Sequence, residues 1–153
     1  MKPLLDEIKN CNICLPHLDH GVNPILAASV HSKIAIIGQA PGSVVHRTGI
    51  PWDDKSGDRL RVWLSVSKAE FYNEVLFALI PMGFCYPGKG KSGDLPPRPE
   101  CAPKWHNLVL DRLENVELIL LIGTYAQNYY LRQAVKKTLT ETVRCYKEYE
   151  PLF

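Results

Sequence analysis

The sequence predicts an α/β fold in three layers (α/β/α), with a central parallel sheet between two layers of helices. Three short apolar runs, 33–38, 75–80 and 117–123, are continuous rather than alternating, as strands buried on both faces are. Helical patterns lie between and after these runs, and strands that alternate with helices favour a parallel sheet. The length of 153 residues predicts a single domain over residues 1–153.

The helices are predicted from apolar residues that recur at helical spacing. Such patterns occupy the segments 57–65, 103–113 and 125–131. A last helix is predicted within 137–149, where Thr138 offers an N-terminal cap. The apolar residues that should face the core in the first two helices are Leu60, Trp63, Leu64, Trp105, Leu108, Val109 and Leu113.

The C-terminal end of the chain leads us to expect an incomplete domain. Leu152 and Phe153 are the natural start of a fourth strand after the last predicted helix, and the sequence ends at Phe153. We therefore expect the last strand of the sheet to be missing and the chain to be a truncated form.

Charge and hydropathy narrow the classes of partner and compartment. Lys and Arg number 18 and Asp and Glu 16, so the net charge of +2 does not by itself favour a polyanion, and a nucleic-acid site must come from local clustering. No stretch reaches the ~18 apolar residues of a membrane span, and Asp6 interrupts the apolar run that a secretory signal needs. We expect a cytoplasmic monomer with no membrane partner.

Five cysteines in a chain expected to be cytoplasmic indicate thiols or metal ligands rather than disulfides, because the number is odd and the compartment is reducing. Two of these cysteines fall in the segment 83–103, which is rich in glycine and proline. That segment is too long for a plain connection, so it is predicted to have a function of its own.

Two loops carry the residues that favour a ligand site. The first strand ends in Gly38-Gln39-Ala40-Pro41-Gly42, at the sheet edge where open α/β folds bind ligands. The segment 49–60 then places Trp52 before two carboxylates, Asp53 and Asp54, which offers a flat stacking surface beside a candidate base. The alternative is that Trp52 fills the core and that both acids cap the next helix. The spacing alone leaves both interpretations open.

These two loops together resemble the first motif of the uracil-DNA glycosylase superfamily. The closest resemblance is to its iron–sulfur members, which read Gly-Glu-Ala-Pro-Gly and later Gly-x-Pro-Phe. The segment Leu121-Ile122-Gly123-Thr124-Tyr125-Ala126 is similar to the Leu-Gly-x-x-Ala strand exit of that group. The resemblance spans residues 11–131 and implies a base-excision repair enzyme that acts on DNA containing uracil or a related lesion.

The resemblance also implies a metal cofactor held by four cysteines, Cys11, Cys14, Cys85 and Cys101. Four thiolates suit either a [4Fe–4S] cluster or a structural zinc ion. A zinc ribbon usually supplies two tight Cys-x-x-Cys hooks, whereas fifteen residues separate Cys85 from Cys101. A [4Fe–4S] cluster is therefore the expected cofactor, with zinc as the lesser alternative and free thiols as the third. Cys145 has no place in this scheme.

Roles in base excision follow from the same resemblance. Trp52 matches the aromatic residue that stacks on the extruded base, and the backbone of Gln39, Ala40, Pro41 and Gly42 should line the pocket. Gln39 stands where the iron–sulfur members have Glu, so a carboxylate is missing there. A second branch of the superfamily carries Asp-x-Ser-Gly-x-x-Leu with a catalytic Asp, which Asp54 matches after an offset of one residue. We expect Asp54, with Gln39 beside it, to be catalytic, and Asp53 is the rival.

Two departures from the family pattern stand beside these matches. Pro81 takes the place of the Asn that reads uracil, and the His-Pro-Ser motif, which supplies a catalytic histidine and a DNA-entering loop, is not present before Phe153. We therefore expect this chain by itself to release no uracil. The alternative function is a non-catalytic iron–sulfur module that binds nucleic acid or transfers electrons.

Cations for DNA contact cluster near the first motif and in the segment 83–103, where phosphates would pass. An exposed loop commonly carries such charges without binding DNA, so the two interpretations stay open. The candidates are Lys55, Arg59, Lys89, Lys91 and Arg98, with Arg47 and Arg61 nearby.

Overall fold

The computed structural model describes residues 1–150, and its centre is a parallel sheet of three strands flanked by helices. The elements in chain order are α1 (Lys2–Lys9), β1 (Ile34–Ile37), α2 (Ser43–Thr48), α3 (Lys55–Leu64), α4 (Lys68–Phe71), β2 (Phe77–Leu79), β3 (Lys89–Gly90), β4 (Gly93–Asp94), α5 (Cys101–Leu110), β5 (Leu118–Leu121), α6 (Thr124–Leu131) and α7 (Leu139–Arg144). Short 3-10 turns occupy Leu15–His17, Arg132–Ala134 and Tyr146–Glu148.

The sheet has the strand order β2-β1-β5, and both pairings are parallel. Ile34 lies opposite Phe77 on one side and opposite Leu118 on the other. Because the strands are parallel, their carboxyl ends meet at one edge of the sheet. The three apolar runs of the sequence are therefore confirmed as three parallel strands.

Alternate residues of the strands bury their side chains in two separate layers, which confirms the three-layer prediction. Ala35 and Ala78 pack with α1 and α5 on one face of the sheet. Ile36 and Leu79 pack with α3 and α4 on the other face. This alternation follows from the two-residue repeat of a strand, and apolar residues at both phases of the repeat are what a strand between two helical layers requires.

The last predicted helix begins where the sequence placed its cap. Thr138 accepts a hydrogen bond from the backbone N–H of Glu141, and the Glu141 carboxylate accepts one from the backbone N–H of Thr138. This reciprocal pair satisfies two backbone donors that a helix start otherwise leaves unpaired.

Two residues predicted to face the core are exposed instead. The side chain of Trp63 is 72% exposed and that of Leu108 is 42% exposed. In α3 the buried stripe runs through Leu60 toward Leu64, and the residue three positions after Leu60 lies at its margin because one residue turns a helix by about 100°. The same geometry places Leu108 at the margin of the buried stripe of α5.

The segment 83–103 folds into local structure rather than a plain connection. It contains the short antiparallel hairpin β3–β4, in which Lys89 pairs with Asp94, and it ends in the first turn of α5. The fourth strand expected to begin at Leu152 and Phe153 falls outside the described residues. No helix in the described range is long and apolar enough to cross a membrane.

Candidate functional site

A cavity of about 600 Å³ opens at the carboxyl ends of the three strands. We refer to it as the large cavity. Its position is the one that open α/β sheets use for ligands, because loops leaving adjacent strands surround a common space there. Its lining includes residues 38–42, Pro51, Trp52, Asp54, Arg59, Trp63, Pro81, residues 92–94, Ile122 and Gly123.

The loop after β1 is fixed in place by backbone hydrogen bonds to the segment after β2. The N–H of Met82 donates to the Gly38 carbonyl at 2.8 Å, and the N–H of Gly83 donates to the Gln39 carbonyl at 3.1 Å. The Gln39 side chain also donates from Nε2 to the Leu95 carbonyl at 3.4 Å. Residues 38–42 are therefore a braced wall of the large cavity, and the Gln39 amide connects that wall to the hairpin.

Trp52 lies between the core and the large cavity, and two glycines make room for it. A Cβ on Gly38 would stand 2.6 Å from the indole atom Cζ2, and a Cβ on Gly57 would stand 1.8 Å from the Trp52 carbonyl oxygen. Trp52 itself adopts a φ of 58°, and Arg61 donates to its carbonyl at 3.4 Å. The indole packs against the core cluster and also lines the large cavity. Trp52 is therefore both a core residue and a cavity residue, two positions between which the sequence left the choice open.

Asp54 caps α3 and lines the large cavity at the same time. Its Oδ1 accepts a hydrogen bond from the backbone N–H of Gly57 at 2.9 Å. This bond satisfies one of the backbone donors that the start of a helix leaves unpaired. Asp53 instead forms an ion pair with Lys68 at 3.4 Å. Only Asp54 of the two rivals lines the large cavity, and its catalytic role stays a prediction.

The candidate DNA-binding cations lie in different surroundings. Arg59 lines the large cavity, and Lys55, Lys89 and Lys91 are exposed. Arg98 instead forms an ion pair with Glu100.

Arg61, named in the sequence as a nearby cation, is only 7% exposed. It stacks on Phe71 and Tyr72 and pairs with Asp58. It is therefore not available to a phosphate, and the expectation for this residue is corrected.

The structure adds residues to the large cavity that the sequence did not single out for it, and two of them bear on its chemistry. Asp94 reaches the cavity from the hairpin, and Trp63 stands beside Arg59 on α3. The only signal for Asp94 was its position in the glycine- and proline-rich segment. The contact that orients the hairpin toward the cavity joins Gln39 to Leu95, which are distant in sequence.

A buried histidine lies behind the cavity wall at Pro81. His106 Nε2 is 3.0 Å from the Pro81 carbonyl, and its Nδ1 contacts the Tyr130 hydroxyl. Burial lowers the pKa of His106 to about 4, so the ring is neutral at neutral pH. A neutral ring has one N–H, which Nε2 donates to the carbonyl, while Nδ1 accepts from Tyr130. The network fixes the backbone where the resemblance would place a base-reading Asn.

The four predicted ligand cysteines line one small cavity, which we call the cysteine cavity. Its other lining residues are largely apolar and include Ile13, Val22, Phe84 and Trp105. The backbone N–H of Phe84 donates to Cys101 Sγ at 3.3 Å. Within residues 1–150, no group of three or more His, Cys, Asp or Glu side chains is placed to hold a metal ion.

Burial favours the protonated form of three thiols of the cysteine cavity, those of Cys14, Cys85 and Cys101. It raises the pKa of Cys85 to about 11 and that of Cys101 to about 12, and it also raises the pKa of Cys14. The charges of Glu100 and Cys11 add to the increase for Cys14, and Arg98 opposes it. A metal centre in this cavity would therefore have to release protons on binding, since only thiolates are ligands.

One comparison with known proteins bears on this site. The family model described as the Uracil DNA glycosylase superfamily matches residues 26–152. The match contains all the lining residues of the large cavity named above, together with Cys85 and Cys101, and leaves Cys11 and Cys14 outside.

Proposed function

We propose, because the chain belongs to the uracil DNA glycosylase superfamily, that it removes uracil or a related damaged base from DNA. The observation that carries this proposal is the convergence of residues 39–42, Trp52 and Asp54 on one cavity. Its volume of about 600 Å³ falls in the range of about 300–1,000 Å³ that small-molecule sites occupy. A single extruded nucleotide is a ligand of that size.

The base leaves the DNA stack before it enters the cavity, because its glycosidic bond is not accessible inside a duplex. The indole of Trp52 is the aromatic surface on which the base stacks, and such a stack contributes about 1–3 kcal/mol of binding free energy. The braced backbone of residues 39–42 contacts the base edge. Because Pro81 has no polar side chain, discrimination between bases rests on backbone groups in this part of the cavity.

Hydrolysis of the glycosidic bond develops positive charge on the sugar. The Asp54 carboxylate, which lines the cavity, offsets this charge. Gln39 is neutral and cannot accept a proton at neutral pH, so its amide positions groups instead. Exposed Lys55, Arg59, Lys89 and Lys91 supply the phosphate contacts, whose contribution falls as salt concentration rises.

The cysteine cavity is proposed to hold a [4Fe–4S] cluster through Cys11, Cys14, Cys85 and Cys101. Four thiols that line one cavity, one of which accepts a backbone N–H hydrogen bond, are the donor type that such a cluster requires. Within residues 1–150 no three of them are placed to hold a metal ion, so the sulfurs would have to draw together on binding. When bound, the cluster would supply structural crosslinks between the N-terminal segment, the turn at Cys85 and the start of α5. No step of base removal is assigned to it.

The activity is tested with paired oligonucleotides that differ at one position, uracil in one and thymine in the other. In contrast to the expectation drawn from the sequence, the assembled cavity leads us to expect abasic sites, detected by strand cleavage in alkali, in the uracil strand alone. Oligonucleotides with other deaminated bases extend the test to related lesions. Binding to DNA with no base release from any of these substrates would refute the glycosylase and would support the non-catalytic module.

The cluster is tested separately from the activity. Protein purified without oxygen should be brown and contain about four irons per chain, as a cluster held by four cysteines requires. Cys85→Ser should remove the iron and the colour, whereas Cys145→Ser is the matched control because Cys145 does not line the cysteine cavity. Colourless protein with one zinc ion, or with no metal, would contradict the cluster.

A further inference from the structure

The large cavity contains a second carboxylate, Asp94, to which the proposed function assigns no role. Asp94 lies on β4 and lines the cavity opposite the loop after β1. Its Oδ2 is 3.4 Å from the position that a Cβ on Gly42 would occupy, and Oδ2 of Asp54 is 3.9 Å from the same point. Two carboxylates from different elements therefore reach one small region of the cavity, and glycine at 42 leaves that region open.

The position of Asp94 is set by the fold around it. The hairpin pairs Lys89 with Asp94, and the N–H of Leu95 donates to the Gly88 carbonyl at 2.9 Å. The Gln39 amide then donates to the carbonyl of Leu95, the next residue after Asp94. The bond from Gln39 therefore holds the hairpin against the braced wall and keeps Asp94 at the cavity.

The two carboxylates differ in their surroundings. Asp54 Oδ1 accepts a hydrogen bond from the Gly57 N–H at the start of α3. Asp94 is exposed, whereas the Tyr86 phenol, on which its charge acts, is buried. Burial raises the pKa of the Tyr86 phenol, and the charge of Asp94 raises it further. Two carboxylates at one site commonly divide the tasks of glycoside hydrolysis.

We infer that Asp94 is the catalytic base of the proposed glycosylase and that Asp54 is its electrostatic partner; this inference rests on the proposed function. A water molecule attacks C1′ of the sugar as the bond from C1′ to the base breaks, and the electron pair of that bond leaves with the base. The Asp94 carboxylate takes the proton that the attacking water loses. That proton then neutralises the departed base, so the products are the free base and an abasic sugar with a hydroxyl at C1′.

The test compares Asp94→Asn and Asp54→Asn with the wild type, and Asp111→Asn is the matched control because Asp111 is exposed and does not line the cavity. The first measurement is the single-turnover release of uracil. Removal of a general base typically costs on the order of 10²-fold or more in rate, which is the loss expected for Asp94→Asn. Asp111→Asn should release uracil at the wild-type rate.

The second measurement does not depend on activity. Each protein binds an oligonucleotide in which the target nucleotide is replaced either by a cationic pyrrolidine or by a neutral tetrahydrofuran. The cation resembles the charged sugar of the transition state, so both carboxylate variants should lose at least about tenfold in affinity for it. Their affinity for the neutral probe should stay unchanged.

The outcomes separate this inference from the proposed function. If the wild type releases uracil and Asp94→Asn does so at the same rate, the inference is wrong and the proposed function stands. Equal loss of affinity for both probes would also overturn it, because charge would then not be the cause. If the wild type releases no base, the proposed function fails and the base role of Asp94 fails with it, while the two probes still report whether Asp94 faces a cation.

Discussion

For the replacement of Gly57 by alanine, the structure and helix propensity predict opposite changes in the free energy of unfolding. Gly57 lies in the first turn of α3, where alanine is intrinsically favoured over glycine by about 1 kcal/mol. The structure predicts destabilisation instead. A Cβ at this position would lie 1.8 Å from the Trp52 carbonyl oxygen and 2.7 Å from its carbonyl carbon.

The magnitude of the destabilisation follows from how far the new Cβ and the Trp52 carbonyl must move apart. Relief of the contact requires a displacement of about 1 Å or more, because non-bonded atoms prefer separations of about 3.5–4 Å. Overpacking of this kind costs about 1–3 kcal/mol. The same movement weakens the cap between the Gly57 N–H and Asp54, which contributes about 1 kcal/mol. After the propensity gain is subtracted, the free energy of unfolding should fall by about 1–3 kcal/mol.

Urea denaturation followed by circular dichroism measures this change. The midpoint should fall with an unchanged slope, and the Tm should decrease by roughly 2–12 °C for a domain of this size. Ser56→Ala is the control, since an exposed residue on the same turn should change stability by no more than about 0.5 kcal/mol. A Gly57→Ala protein as stable as the wild type, or more stable, would refute the claim that the Trp52 carbonyl requires glycine here.

Three further predictions concern the walls of the large cavity. Trp52→Ala should cost about 1–3 kcal/mol of binding to uracil-containing DNA and less on the thymine control, whereas equal losses on both would indicate a purely structural role. Gln39→Ala removes a hydrogen bond worth about 0.5–1.5 kcal/mol, so the Leu95 amide should exchange with deuterium roughly threefold to tenfold faster; Asn115→Ala, which removes a similar amide–carbonyl bond elsewhere, should leave that rate unchanged. Because the folded pKa of His106 is about 4 and the unfolded value about 6.5, unfolding binds a proton between these values and stability should fall as pH decreases through that window. The NMR signals of His106 should show a neutral ring at about pH 6, and a protonated ring there would contradict the assigned tautomer.

Local sequence patterns were sufficient for the sheet and for several helix boundaries. The runs that contain Ile34–Ile37 and Leu118–Leu121 are short, continuous and apolar, which only a strand covered on both faces requires. The cap at Thr138 is equally local, because donor and acceptor are three residues apart. In contrast, Trp63 and Leu108 satisfy the helical spacing and are still exposed, since spacing does not show where the neighbouring layer ends.

The candidate site was likewise predicted from the sequence only in part. Residues 39–42, Trp52, Asp54 and the four cysteines were named from the sequence, because short motifs carry their own residue types and turn glycines. The sequence left the role of Asp54 open between helix cap and cavity residue. The structure places it in both positions, because a cap on the first turn of α3 also faces the strand ends. The burial of Arg61 could not be predicted from the sequence either. The rings that cover it belong to Phe71, at the end of α4, and to Tyr72, the next residue.

By itself the sequence determined the three parallel strands, the loops that follow them and the chemical types available at their ends, because these depend on apolar runs and on residues adjacent in the chain. Only the tertiary structure decided which of those residues lie close together. Asp94 reaches Gly42 because a hairpin folds back and the Gln39 amide holds it there, and Gly57 is required because the Trp52 carbonyl crosses the start of α3. Contacts between segments distant in sequence set these positions, and no local pattern records them.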